Sequence, residues 1–240
     1  DNEFLKEQAV REAISMGIDK EGCADIITKG ASVSTTGLYP DFMDFGGADG
    51  YEYDIEGANA LLDEARIKDT DGDGIRELNG KNISLRLVTY STKAELSKFC
   101  SEIASSAKNI GINITTEVYE SVSEQQKTGD FDLLMVSFTM VPTGDPQYFA
   151  DIAFRTGGSS NYGGYSNEEV DSLINELDEE FDSARRTELA KEIQQKIIDD
   201  AGFIVVGHSK YIYVMSSNVK GLHTNPSEYY LLDANVYIEQ

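Results

Sequence analysis

The stretch ISLRLVTYSTKAELSKFCSEIASSAKNIGINITTEVY, residues 83–119, decides the class of fold. Its first eight residues are rich in apolar and β-branched side chains and read as a strand. TKAELSKFCSEIASSAKNI follows as a helix. GINITTEVY then turns Ile112, Ile114 and Val118 to one side at the period of a second strand. Strand, helix and strand joined in this way make a βαβ unit, which requires two parallel strands with a helix packed across them.

Upstream, LNGKN joins the strand-like GIRE to residues 83–90, and Asn-Gly is the favoured pair for a tight hairpin turn. Before it, Asp54 opens the helix IEGANALLDEA, which faces inward through Ala58, Leu61, Leu62 and Ala65. Val10, Ala13, Ile14 and Gly17 recur at helical spacing and Asp19 is placed to cap a second helix, so residues 5–29 are expected to form two short helices.

Downstream, a short polar helix near residues 122–128 precedes FDLLMVSF, whose near-continuous apolar character predicts a central strand covered on both faces. A short helix, QYFADIAF, and a glycine-rich loop follow. Ser166 and Glu169 have capping-box spacing ahead of a helix with Val170, Leu173, Ile174, Leu177 and Phe181 on one stripe; Leu189, Ile193 and Ile197 mark the next helix. FIVVGHSKYIYVM reads as one or two strands, and Tyr229, Tyr230, Leu231 and Leu232 show no clear period. The whole predicts an α/β domain, a mixed sheet flanked by helices.

Forty-three acidic residues against 20 basic give a net charge of −23, which repels nucleic-acid phosphate and anionic lipid, so no nucleic-acid partner is expected. No apolar run of 18 residues spans a bilayer and no charged-then-apolar leader opens the chain, which reads as a soluble mature fragment. Cys23 and Cys100 lie far apart without zinc or redox spacing and read as two buried thiols; a disulfide between them is the alternative. His208 and His223 have no ligand partner at metal spacing. With no nucleophile elbow, phosphate loop or HExxH, and no paired acid and base, an enzyme is not expected and no cofactor is called for.

Two segments carry candidate sites. In DTDGDGIRELNG, residues 69–80, Asp69, Asp71, Asp73 and Gly74 match the first half of a calcium loop. The glutamate that should complete the cage is Gly80, leaving Glu77 as the only further carboxylate. Either these four acids hold calcium or the aspartates merely close turns. Residues 142–165, PTGDPQYFADIAFRTGGSSNYGGY, place Thr143, Asp145, Tyr148, Arg155, Asn161, Tyr162 and Tyr165 on loops beside the expected central strand, where sheet proteins put ligand sites. Arg155 is suited to a carboxylate and the tyrosines to flat apolar walls, against the alternative that tyrosines cover core edges and Arg155 pairs with an acid.

VREAISMGIDKE, YEYDIEGANALLDEA, the DTDGDG loop before a hairpin, NYGGYSNEEVDSLI and LAKEIQQKIIDDAGFIVVG, in this order, resemble the C-terminal lobe of bacterial solute-binding proteins of ABC importers. The branch is family 5, for peptides, opines and nickel chelates, and the resemblance covers roughly residues 3–222. It implies a periplasmic-binding-protein-like lobe, residues 1–214, that holds a small ligand against a second, N-terminal lobe, with residues 215–240 crossing back to that lobe. It further implies a non-catalytic role, an ABC permease as partner, and a place outside the cytoplasm, in the periplasm or as a cell-surface lipoprotein. Similar DxDGDG loops in the family look like structural connections. The acid that anchors a peptide amino group in dipeptide binders falls at Pro142 or Val141 here. The aromatic, tyrosine and histidine of the nickel-chelate binder fall at Met140, Gly144 and Ser159 or Ser160. The wording of residues 142–167 is most similar to metal-chelate binders, in which Arg155 would meet the chelator. The competing class is a calcium-stabilised acidic interaction module built on the Asp69–Asp73 loop.

Overall fold

The computed structural model describes residues 2–224 and 232–239; Tyr229, Tyr230 and Leu231 lie outside the described residues. Helix α1 (Gln8–Met16) is followed by α2 (Lys20–Gly22), which continues as a π turn over Cys23–Ile27. Asp19 caps this pair by accepting from the Gly22 N–H. After β1 (Ser32–Val33) and a long loop comes α3 (Ile55–Glu64), capped by Asp54. It buries Ala58 and Leu62, half-buries Leu61 and leaves Ala65 exposed, because the helix has ended one residue earlier.

Strands β2 (Glu77–Leu78) and β3 (Lys81–Asn82) form an antiparallel hairpin at the expected Asn-Gly turn, although its second strand is Lys81–Asn82 rather than residues 83–90. Asn79 and Gly80 at its tip both have positive φ, 55° and 75°, as a two-residue type I′ turn requires. Then β4 (Ser84–Tyr90), α4 (Ala94–Ala107) and β5 (Asn113–Tyr119) build the βαβ unit, with β4 and β5 parallel and paired from Ser84↔Asn113 to Tyr90↔Tyr119. Leu96, Phe99, Cys100, Ile103 and Ala107 of α4 are buried over the sheet together with Ile112 and Ile114, while Val118 is 48% exposed. That exposure corrects the sequence expectation: β5 is an edge strand, and its last residues lack a flanking neighbour.

After α5 (Ser123–Thr128), β6 (Leu133–Leu134) pairs with β4 in parallel at Leu87↔Leu133 and Val88↔Leu134. The sheet order is β5-β4-β6, so the central strand is β4; the apolar FDLLMVSF run supplies an edge. Its other flank faces Phe203–Val206, yet among the described residues no backbone hydrogen bond joins the two segments. Between them lies an apolar groove of about 280 Å³. Phe203–Val206 is extended and alternates: Ile204 and Val206 pack on a first core cluster with α1, α3 and α4, Phe203 and Val205 on a second. The continuous apolar character of FIVV thus reflects a segment covered on both sides.

The second cluster belongs to α6 (Gln147–Ala153), α7 (Glu168–Glu179) and α8 (Ser183–Asp199). The N-cap of α7 is Asn167, which accepts from the Glu169 and Val170 N–H groups, while Ser166 accepts instead from the Thr156 hydroxyl; the capping box expected at Ser166 is therefore displaced by one residue. Val170, Ile174 and Leu177 are buried, and Phe181, 93% exposed, falls past the end of the helix. Leu189, Ile193 and Ile197 of α8 are buried as expected, each worth roughly 1.5–3 kcal/mol of transfer free energy. Only β7 (His208–Ser209), antiparallel to β1, forms a strand within residues 203–215. In the tail, β8 (Val219–Lys220) pairs with β9 (Tyr237–Ile238). Cys23 and Cys100 are buried and free. Among the described residues no helix is long and apolar enough to cross a membrane.

Candidate functional site

The carboxyl ends of β4, β5 and β6 open on one edge of the sheet, the edge at which parallel α/β sheets carry ligands. Tyr90 ends β4, and its hydroxyl oxygen accepts from the Ser137 N–H at 3.4 Å. Lys93, at the N-cap of α4, donates to Ser137 Oγ at 2.8 Å. Next along the chain, Phe138 stacks on Tyr162, with ring centroids 6.4 Å apart and planes at 20°. Phe149 and Phe203 pack against Phe138 at 5.3 and 6.1 Å, so the apolar floor is fixed by the second core cluster. None of Tyr90, Lys93, Ser137 and Phe138 stands out in the sequence. Their signal is positional, the carboxyl ends of two strands that the βαβ pattern makes parallel.

The loop after Phe138 is held from beneath. Tyr39 is buried and donates its hydroxyl to the Pro146 carbonyl oxygen at 3.0 Å. Burial first, and the nearby Asp145 charge second, push that hydroxyl far above the ordinary tyrosine range, so it remains a donor. Thr143 is exposed at the loop tip. Asp145, expected at the ligand, instead accepts from Arg186 through both oxygens at 2.7 and 2.8 Å and from the Gln147 N–H at 2.9 Å. Tyr148, 47% exposed, stands on α6.

Arg155 does not offer a free guanidinium. Its three nitrogens donate to Asp151, Asn175 and Asp178, the last at 2.6 Å, which ties α6 to α7. Nor is the Asn161 amide free: it donates to the Arg155 and Tyr165 carbonyls at 3.0 and 2.7 Å and accepts from the Tyr165 N–H at 2.9 Å. Tyr165 in turn donates to Asp200 at 2.6 Å, and burial followed by that bond raises its hydroxyl well above the usual range. The expected residues are thus mostly bonded within the chain. Arg155, Asn161 and Asp145 brace the loops, while Tyr162 reaches the sheet edge. The excess of acids makes this outcome physical, since a partly buried guanidinium beside two carboxylates is held by them.

The aspartate loop closes on itself. Asp69, Asp71 and Glu77 bring one carboxylate oxygen each within 4.8 Å of the others. Asp69 already accepts from the Gly72 and Gly74 N–H groups at 2.7 and 2.9 Å, bonds that hold it below the usual carboxylate range. Glu77 accepts twice from Thr70. Asp73 leaves the group altogether, accepting from Ile75 and Asn82. These are the Asx-turns of a structural connection, and the reading of the chain as a calcium-stabilised module has no support. A larger hollow, about 990 Å³, lies against residues 47–49 and α8; its walls are mainly polar, with acids outnumbering lysines, and it takes no group from the sheet edge.

A profile described as bacterial extracellular solute-binding proteins, family 5 Middle, matches residues 1–161. The nickel-binding protein NikA of Staphylococcus aureus is 29% identical over 235 residues, covering 97% of this chain and 46% of that protein. The dipeptide-binding protein DppE of Bacillus subtilis is also 29% identical, over 95% of this chain and 42% of its own length. Among solved structures, S. aureus NikA in complex with Ni(L-His)2 superposes with a TM-score of 0.76 at 28% identity, over 97% of this chain and 48% of that one. The oligopeptide-binding protein AppA of B. subtilis, with a nonapeptide, shares the fold at a TM-score of 0.82 and 24% identity, over 100% and 49%. The chain thus spans about half the length of the curated relatives it matches.

Proposed function

The chain belongs to the bacterial extracellular solute-binding proteins of family 5, and from that premise we propose that it is the C-terminal lobe of a two-lobed, non-catalytic binder that captures a peptide or a metal chelate outside the cytoplasm and passes it to an ABC permease. The observation that carries the reading is the open carboxyl edge of the sheet, where Tyr90, Ser137, Phe138 and Tyr162 form one wall, and a second wall is needed to enclose a ligand. The exposed Thr143 and Tyr148 are proposed as further ligand contacts on this lobe. The apolar groove beside β6 supports the same reading, because an unpaired strand edge next to apolar side chains is a surface that a longer chain covers. Residues 215–240 would belong with the other lobe.

Calorimetric titration of the full-length protein and of residues 1–240, each with nickel(II)–L-histidine and with short peptides, tests the proposal. The full-length protein should bind one class tightly and the 240-residue chain should bind it far more weakly, since closure takes affinity from both walls and from excluding water. Equal affinity of the two proteins would show that the site is not shared between lobes.

A further inference from the structure

The cations of this acidic chain differ in what they have left for a ligand. Arg155 is closed by Asp151 and Asp178, and Arg186 by Asp145. Arg86 is closed by Glu117 and Asp130, and Arg185 by three glutamates. Lys93 stands apart. It is exposed where the loop from β4 enters α4, makes no ion pair among the described residues, and donates only to the neutral Ser137 hydroxyl. An ammonium carries three N–H donors, so two remain for a ligand. Its neighbours are held in register by the parallel ladder: the Met135 N–H donates to the Val88 carbonyl at 2.9 Å, and Ser137 then reaches Tyr90.

We infer that Lys93 is the anion anchor of this wall, its ammonium receiving a carboxylate of an organic ligand beside the Ser137 and Tyr90 hydroxyls. The inference rests on the binding reading above and names the chemistry of its ligand. A net charge of −23 repels anions at large, so a carboxylate-bearing ligand needs a local cation whose charge is not already neutralised. Exchange of a neutral hydroxyl for a carboxylate strengthens the bond that Lys93 makes, whereas Arg155 would have to release a carboxylate to accept another.

The test uses the full-length protein and two probe pairs that differ only in a carboxylate: nickel(II) with L-histidine or L-histidinamide, and trialanine or its C-terminal amide. Titration calorimetry gives the affinity ratio of acid to amide. In whichever pair binds, Lys93→Met should weaken the acid about 10- to 100-fold, as for loss of a charge-assisted hydrogen bond, and leave the amide within about 2-fold. Lys93→Arg should keep most of the acid preference, and both variants should melt with the wild type because Lys93 is exposed. An equal loss on acid and amide, or none on the acid, overturns the anchor while leaving the binding reading intact. Failure of the wild type to bind either pair overturns both.

Discussion

Arg155→Ala separates a bracing arginine from a ligand-holding one. The wild-type guanidinium, its side chain 26% exposed, joins Asp151 on α6 to Asn175 and Asp178 on α7, whose carboxylates are 46% and 32% exposed for the aspartates. Fully exposed pairs contribute about 0.2–1 kcal/mol each, and breaking a buried pair costs roughly 3–5 kcal/mol. With three bonds at intermediate exposure, the loss should be about 2 kcal/mol. For a chain of this length that corresponds to a fall in Tm of about 4–8 °C. Arg155→Lys should recover less than half, since an ammonium cannot span three acceptors with the planar fork. The assay is urea unfolding followed by circular dichroism, with Asp178→Ala and the double variant completing a cycle whose coupling should be about 0.5–1.5 kcal/mol. Ligand affinity of the full-length Arg155→Ala protein should change less than about 3-fold. An unchanged urea midpoint together with lost binding would refute the bracing role and return Arg155 to the ligand.

Asn167→Ala should cost about 1 kcal/mol in the same urea assay through loss of the α7 cap, while Ser166→Ala should cost less than about 0.5 kcal/mol. Burial pushes the Cys23 and Cys100 thiols up to about 11, so an aromatic disulfide reagent at pH 8 should label neither in the folded chain and both in urea; fast labelling of the folded protein would contradict their burial. Asp69 is held below its ordinary value by backbone N–H groups, so its stabilisation is complete above the unfolded carboxylate pKa of about 3.9 and is lost as pH falls through the lower folded value. The stability difference between wild type and Asp69→Asn should accordingly be constant near neutrality and shrink below about pH 4; a difference that grows on acidification would be the wrong sign.

Local patterns carried the reading furthest where an element's own periodicity decides its burial. The β4–α4–β5 unit, the Asn79-Gly80 turn, the Asp19 and Asp54 caps and the apolar stripe of α8 all rest on residues within a turn or a strand of each other, and all stand in the structure. The family resemblance, which depends on several such stretches in order, stands with them. Where a neighbour distant in sequence decides, the pattern misleads. FDLLMVSF is apolar enough for a central strand, yet one flank meets β4 and the other faces an open groove. Phe181 fits a helical stripe that has already stopped, and Val118 fits a strand face that nothing covers.

The division is sharpest at the candidate site. Composition alone makes it certain that cations are outnumbered about two to one, and spacing alone puts Arg155, Asn161 and Tyr162 on one glycine-rich loop. Whether a cation near the candidate site is taken up by acids depends on partners 20, 23 and 44 positions away: Asn175 and Asp178 close on Arg155, and the neutral Ser137 comes to Lys93. Residue type and period set secondary structure because those forces act within a few residues. The distribution of charge among partners was decided only by packing α6 on α7 and β6 on β4, because an ion pair forms wherever folding brings opposite charges within reach, whatever their separation along the chain.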